Sequence, residues 1–207
     1  MKSASFFATL AIAIAVGLAA AAPSLAQDAP SKDQMLKALK KPATRSLVIT
    51  DPAKEKKEQE LIKTLQTRGT RAITVEERAQ VAEIVKEKPA LDLEIFFAYN
   101  SDVIQQESVP SLMNLGKALI DGELKDTVFL VGGHTDATGS DIYNLDLSQR
   151  RANSVKGFLM QNFKIAPDRL VATGFGEEQL KDPADPAGGI NRRVQIVNLA
   201  SVKQAGK

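Results

Sequence analysis

Four short segments in the second half of the chain have the apolar patterns of strands, and two segments with helical spacing lie between them. Alternation over residues 91–97 and apolar, β-rich runs at 127–131, 170–175 and 194–199 predict four strands. Apolar residues three and four apart predict helices over residues 112–122 and 141–162. The resulting order, β-α-β-α-β-β, predicts a two-layer α/β sandwich with a mixed sheet.

Residues 27–90 have a different pattern, with few large apolar side chains and several prolines. Ser31 with Gln34, and Thr74 with Glu77, have the spacing of capping boxes that begin short helices. We expect residues 27–70 to form a mobile, partly helical arm and residues 71–88 to form a helix that leads into the domain. The domain itself is predicted to cover residues 91–200, with residues 201–207 as a tail.

The first 26 residues have the composition of a secretory signal peptide. Lys2 precedes an apolar run over residues 6–22, and small residues at Ser24 and Ala26 fit a signal-peptidase site. Cleavage near Ala26 would place the mature chain in the periplasm or cell envelope. The alternative is an uncleaved membrane anchor, because an apolar run of about 17 residues is at the lower limit for crossing a bilayer.

Composition excludes several classes of function. The chain has no cysteine, which excludes disulfides, thiolate zinc sites and a cysteine nucleophile. Its formal net charge of +2 lacks the basic excess of a nucleic-acid-binding protein. His134 is the single histidine, and no GxSxG motif supports a triad with Asp136 and Ser148. We therefore expect no metal, no cofactor and no catalysis.

The second predicted helix carries a core-directed stripe that becomes polar at its amino-terminal end. Leu147 lies between Asn144 and Arg151 on this stripe, and Asp136 lies in the turn before the helix. Ligands often bind beyond the carboxyl ends of strands in α/β sheets, so Asp136 and Arg151 are predicted to face each other across a small cleft. Two interpretations are open. The two charges pair with each other, or they clamp a ligand that has both an ammonium and a carboxylate on one carbon.

The central residues resemble the OmpA-like peptidoglycan-binding domain family, to which peptidoglycan-associated lipoproteins and flagellar stator wall-binding domains belong. The resemblance rests on the run GGHTDATGSDIYNLDLSQRRANSVKGFL, on the arginine pair in NRRVQIV and on the opening stretch LEIFFAYNSDVI. It covers about residues 91–200. The resemblance implies non-catalytic binding of peptidoglycan through the distal ammonium and carboxylate of meso-diaminopimelate in the stem peptides.

The resemblance also implies roles for individual residues. Asp136 and Arg151 correspond to the ligand-binding pair of the family, Asn144 and Leu147 to helix positions that line the pocket, and Asn100 to the turn on the opposite wall. Thr135 and Arg193 are expected to support the site. Many relatives have an aspartate where this chain has Ala98, a departure that puts one polar contact with the ligand in doubt.

The resemblance allows more than one kind of envelope protein. The preferred interpretation is a periplasmic, outer-membrane-associated protein whose residues 27–90 contact an outer-membrane or other envelope protein. The alternative is a stator-like or scaffold protein that keeps an N-terminal membrane anchor. Residues 3–26 contain no ionisable side chain of the kind that a stator helix usually carries, and this absence favours the first interpretation.

Overall fold

A four-stranded mixed sheet forms the centre of the protein. The structure is a computed structural model, and it describes residues 29–40, 52–68 and 73–201. The strands are β1 (Ala90–Leu93), β2 (Thr127–His134), β3 (Leu170–Gly176) and β4 (Arg193–Ser201), and they lie in the order β1-β4-β2-β3. Strands β2 and β3 are parallel, whereas β4 is antiparallel to both β1 and β2. The predicted β-α-β-α-β-β order of the domain is confirmed.

In the described ranges, three helices precede the sheet and two connect its strands. They are α1 (Lys32–Leu39), α2 (Pro52–Arg68), α3 (Val75–Val85), α4 (Val109–Leu119) and α5 (Asp141–Phe163). Both capping boxes form as their spacing predicts. The Ser31 hydroxyl accepts the backbone N–H of Gln34 at 3.3 Å, and the Thr74 hydroxyl accepts that of Glu77 at 3.2 Å. Each box satisfies two backbone donors at the start of its helix.

One face of the sheet packs against α4 and α5 and buries the first hydrophobic core. Phe129 and Val131 of β2 and Ile196 of β4 are fully buried here. Helix α5 lies unusually close to β2, because a Cβ atom on Gly133 would be 2.2 Å from the backbone oxygen of Ser148. This position therefore accepts only glycine, and the close approach fixes α5 relative to the strand that leads into it.

Helix α1 belongs to the same core. Met35 and Leu39 are four residues apart, so they point in the same direction, and both are completely buried. The side-chain amide of Asn198 on β4 donates a 2.8 Å hydrogen bond to the backbone oxygen of Leu39. This packing differs from the mobile arm expected for residues 27–70, since two apolar side chains are enough to seat a short helix beside α4.

The opposite face of the sheet is covered by α2 and α3, which form the third layer of the protein. The second hydrophobic core contains side chains from both helices and from strands β2, β3 and β4: Ile62, Leu65, Val81, Val85, Val128, Leu130, Val171, Phe175, Val197 and Leu199. The charged face of α2 is exposed, as the sequence predicts for residues 54–60. An ion pair between Lys88 and Glu58 joins the segment after α3 to α2.

Strand β1 is shorter than its sequence pattern predicts. Alternation extends to residue 97, but β1 ends at Leu93, and Phe97 instead forms an isolated antiparallel bridge with Ile104. The hydroxyl of Ser108 accepts the backbone N–H of Phe96 at 2.7 Å, which supplies a partner that the sheet does not. The chain leaves the sheet here to form a hairpin over residues 97–104, and this hairpin becomes one wall of the site described below.

Two expectations concern residues outside the described ranges. The signal peptide over residues 1–26, with cleavage near Ala26, lies wholly outside them, as does most of the tail that begins at residue 201. Within the described ranges, no helix combines the length and apolar character needed to cross a bilayer.

Candidate functional site

The carboxylate of Asp136 lies in the first turn after β2, at the carboxyl end of that strand. Its Oδ1 accepts the backbone N–H of Thr138 at 3.1 Å, and its Oδ2 accepts Nη1 of Arg192 at 2.6 Å. The Asp136 side chain keeps 13% of its surface exposed, and that of Arg192 keeps 54%. The carboxylate is therefore held at a fixed place while part of it stays accessible to solvent.

Asn144, on the first turns of α5, organises the backbone around Asp136. Its side-chain amide nitrogen lies 3.2 Å from the backbone oxygens of both Asp136 and Thr138, and 2.6 Å from Oε2 of Glu177. The residue is only 2% exposed. Asn144 thus acts through the turn that carries Asp136, whereas the sequence placed it on the pocket lining.

Arg151 is two turns further along α5 and contacts the hairpin formed by residues 97–104. Its Nε donates a 3.0 Å hydrogen bond to the backbone oxygen of Ser101, and its guanidinium lies 4.9 Å from the centre of the Phe97 ring. No carboxylate in the described part of the chain lies within ion-pair distance of Arg151, and its terminal NH2 groups donate to no protein acceptor there. The edge of the guanidinium that could hold a carboxylate is therefore not engaged by those residues.

Asp136 and Arg151 do not pair with each other, so the first of the two interpretations of their charges is not what the structure shows. Burial lowers the pKa of Arg151, the charges of Arg150 and Arg192 lower it further, and those of Tyr143 and Asp136 partly oppose this shift. The two groups consequently share one electrostatic environment although each has its own structural partner. A guanidinium remains protonated near neutral pH, so the site holds the fixed carboxylate of Asp136 and, at Arg151, a cation that no carboxylate of the described residues pairs with.

Arg192 belongs to this site, although the sequence marked it only as one of the arginine pair in NRRVQIV. The topology explains its position. Strand β4 runs antiparallel to β2, and Arg193 is opposite His134 in the register. The residue before Arg193 must therefore lie beside the turn after His134, where Asp136 is. The sequence signal for Arg192 is the arginine pair at the start of β4. This pair points to Asp136 only if β4 is known to lie next to β2.

Four further residues were predicted for the site, and the structure places them as follows. Leu147 is buried on α5 with 6% exposure, and Asn100 is exposed in the hairpin with a left-handed φ of 54°. Thr135 is buried, and its backbone N–H donates to Gly176 at 2.9 Å. Arg193 points away from Asp136, since it forms a 3.4 Å ion pair with Asp92 and donates to the backbone oxygens of Gln179 and Asn191.

His134 is buried next to the site rather than in it. Its ring stacks on Phe175 with centroids 5.1 Å apart, and only 2% of the residue is exposed. Burial, assisted by the positive charge of Arg193, lowers the pKa of His134 to about 3. The imidazole is therefore neutral near pH 7. Among the described residues, no group of histidine and acidic side chains has the geometry to hold a metal ion.

A cleft of about 1090 Å³ opens beyond Arg192, between strand β1 and the first turns of α1 and α4. Its walls carry both charged and apolar groups, including Glu94, Phe96, Glu107 and Arg192. Asp136 and Arg151 are not among its lining residues. This cleft is therefore not the candidate site, which is defined by the charges of Asp136 and Arg151.

Comparison with known proteins gives a consistent set of relatives. Residues 96–193 match the OmpA family. Outer membrane porin F of Pseudomonas fluorescens is 37% identical over 119 residues, which cover 56% of this chain and 34% of the porin. Outer membrane protein A of Shigella flexneri is 34% identical over 99 residues, covering 48% of this chain and 28% of that protein. This chain thus spans about a third of the length of the curated relatives that it matches.

A solved structure, the peptidoglycan-associated lipoprotein of Burkholderia pseudomallei, is 24% identical and covers 56% of this chain and 92% of its own, with a TM-score of 0.43. The family match spans the segment from Phe96, just before the hairpin, to the start of β4 at Arg193, and it includes both charges of the site. By this match, residues 96–193 of the chain resemble an OmpA-family domain.

Proposed function

We propose that the domain binds peptidoglycan without catalysis, through the distal ammonium and carboxylate of meso-diaminopimelate in the stem peptides. The observation that carries the proposal is the unequal engagement of the two charges. Arg151 is fixed at its Nε and ring face, and its terminal donors have no acceptor in the described residues. A planar guanidinium held in this way is suited to a carboxylate, which it can bind with two parallel hydrogen bonds.

Asp136 would bind the ammonium of the same ligand. An ionised carboxylate has about four lone-pair positions, and Thr138 and Arg192 occupy two of them. The Arg192 side chain is half exposed, so it can turn towards solvent and leave this oxygen of Asp136 to a ligand. The fixed turn at Asp136 and the fixed guanidinium of Arg151 then match the two charges on the distal carbon of diaminopimelate.

The affinity of one such site should be modest, because a small zwitterion offers few contacts and no large apolar surface. We expect a Kd of micromolar to millimolar order. Retention at the wall would come from repeated sites in the polymer or from a second attachment through a partner. We propose the envelope, after cleavage of the signal peptide, as the location, and residues 27–90 as the segment that contacts an outer-membrane or other envelope protein.

Titration of the whole chain with two stem tripeptides tests the proposal. One tripeptide carries meso-diaminopimelate, and the other carries lysine, which has the ammonium but lacks the distal carboxylate. We expect the diaminopimelate peptide to bind at least about tenfold more tightly, the difference expected for one charge-assisted contact. Equal binding of both peptides, or binding of neither, would contradict the proposal.

Variants identify the site and exclude catalysis in the same preparation. Asp136→Asn should abolish retention of the chain on purified sacculi while the folded structure persists. Asp146→Asn is the matched control, because Asp146 lies on the helix that follows the Asp136 turn and pairs with Arg150 on the exposed face. The incubated sacculi should release no soluble muropeptides, and their release would show an enzyme instead.

A further inference from the structure

Helix α3 places a buried arginine against the segment that follows β3. Arg78 is 7% exposed, and it holds Glu178 through two parallel contacts of 3.0 Å, from Nε to Oε2 and from Nη2 to Oε1. The rest of this helix face is apolar, with Val81 and Val85 in the second core. A buried guanidinium in such surroundings depends on its carboxylate partner, because an uncompensated buried charge is costly.

Glu178 is adjacent in the chain to a residue of the binding site. Oε2 of Glu177 accepts the side-chain amide of Asn144 at 2.6 Å, and that amide also contacts the backbone oxygens of Asp136 and Thr138. The backbone N–H of Glu178 donates to Phe175 at 3.1 Å and fixes the turn. Two consecutive carboxylates are thus held from opposite faces of the sheet, one by α3 and the other by α5.

We propose that Arg78 is a positioning residue for Asp136, which rests on the proposed function of the Asp136 site. The Glu178 side chain is 53% exposed, so without Arg78 it has little to hold it in place. The turn would then loosen, Asn144 would lose its shortest hydrogen bond, and the backbone around Asp136 would lose its support. Binding sites depend on such surrounding contacts to keep their charged groups in the productive geometry.

A purely structural role is the competing explanation, in which Arg78 only fastens α3 to the domain. The two explanations differ in a measurable way. A structural role lowers the free energy of unfolding and leaves the ligand affinity of the folded protein unchanged. A positioning role weakens binding in the folded protein and increases the mobility of the Thr138 amide, whose N–H donates to Asp136.

The experiment measures both quantities in the whole chain, at a temperature where circular dichroism shows it folded. Arg78→Met and Glu178→Gln should weaken binding of the diaminopimelate tripeptide by about three- to tenfold and accelerate hydrogen exchange at Thr138. The double charge reversal, Arg78→Glu with Glu178→Arg, should recover part of both effects. Glu178→Gln keeps the shape of the side chain and provides the test if Arg78→Met fails to fold.

Lys88→Met is the matched control, because Lys88 also makes an ion pair within residues 27–90 but with Glu58 of α2, away from the site. It should leave both the affinity and the Thr138 exchange unchanged. Unaltered affinity and exchange in folded Arg78→Met and Glu178→Gln would overturn the inference. If the unmodified chain binds no tripeptide, the proposed function fails, and the exchange measurement still decides whether α3 positions the Asp136 turn.

Discussion

Arg151 provides the sharpest test of how the site recognises its ligand, because lysine at this position keeps the positive charge but lacks the planar arrangement of donors. The guanidinium is oriented by a 3.0 Å hydrogen bond to Ser101 and by the ring of Phe97 at 4.9 Å. A lysine ammonium has neither the planar fork nor the stacking face. Arg151→Lys should therefore bind the diaminopimelate tripeptide with one charge-assisted contact where the arginine makes two.

The size of the loss follows from these contacts. One hydrogen bond to a charged group contributes about 1.5–3 kcal/mol. Since Arg151→Lys removes one of two such contacts, we expect it to lose about 1.5–3 kcal/mol of binding free energy, or roughly ten- to 150-fold in Kd. Arg151→Met should lose the carboxylate contact entirely.

Isothermal titration with both tripeptides separates this mechanism from a general loss of affinity. Arg151→Met should bind the diaminopimelate and lysine peptides equally, because the group that distinguishes them has no counter-charge left. Arg150→Met is the control, since the neighbouring Arg150 pairs with Asp146 and Asp102 on the outer face of α5. A preference for diaminopimelate that survives in Arg151→Met would refute the assignment of the carboxylate to Arg151.

Three further predictions concern the fold that holds the site. Gly133→Ala should destabilise the protein by about 2 kcal/mol or more in urea unfolding, because its Cβ would lie 2.2 Å from a backbone oxygen of α5. Met35→Ala should cost about 2–5 kcal/mol, whereas a loosely attached arm would show no change. With its pKa lowered to about 3, His134 stays neutral in the folded state while the unfolded chain takes up a proton below about pH 6.5. Stability should fall by about 1.4 kcal/mol per pH unit from pH 6.5 towards pH 3, and His134→Leu should remove that part of the acid dependence.

The elements of the domain were predictable because their signals are local. Alternation and helical spacing identified the strands and both connecting helices, and two capping boxes fixed the starts of α1 and α3. The placement of Asp136 beyond the end of β2 followed from the same reasoning, since the turn comes directly after an apolar strand. Strand β1 was predicted too long because alternation continues through a hairpin that pairs residues 97 and 104 outside the sheet.

The partners of the charged groups were not predictable, because they are distant in sequence. Asp136 and its partner Arg192 are 56 residues apart, and Arg78 and Glu178 are 100 residues apart. The contact between Asp136 and Arg192 follows only once the strand order is known, since β4 returns between β1 and β2. Spacing along α5 placed Asn144 and Arg151 on one stripe, but it could not show that Asn144 would turn back to hold the Asp136 turn.

Residues before the family match contribute to the hydrophobic cores of the domain, so the start of the match is not the start of the folded unit. The family match begins at residue 96, yet Met35 and Leu39 lie in the same core as Phe129. Removal of α2 and α3 would expose Leu130 and Phe175 on a sheet face that is now fully covered, and an apolar face of this kind needs a covering layer. A truncation at residue 91 would therefore change the folding of the domain together with the arm. The contribution of residues 27–90 to wall binding must therefore be measured with point substitutions in the whole chain. Arg78 is the most informative position, because it both fastens α3 to the domain and contacts the segment that supports the Asp136 turn.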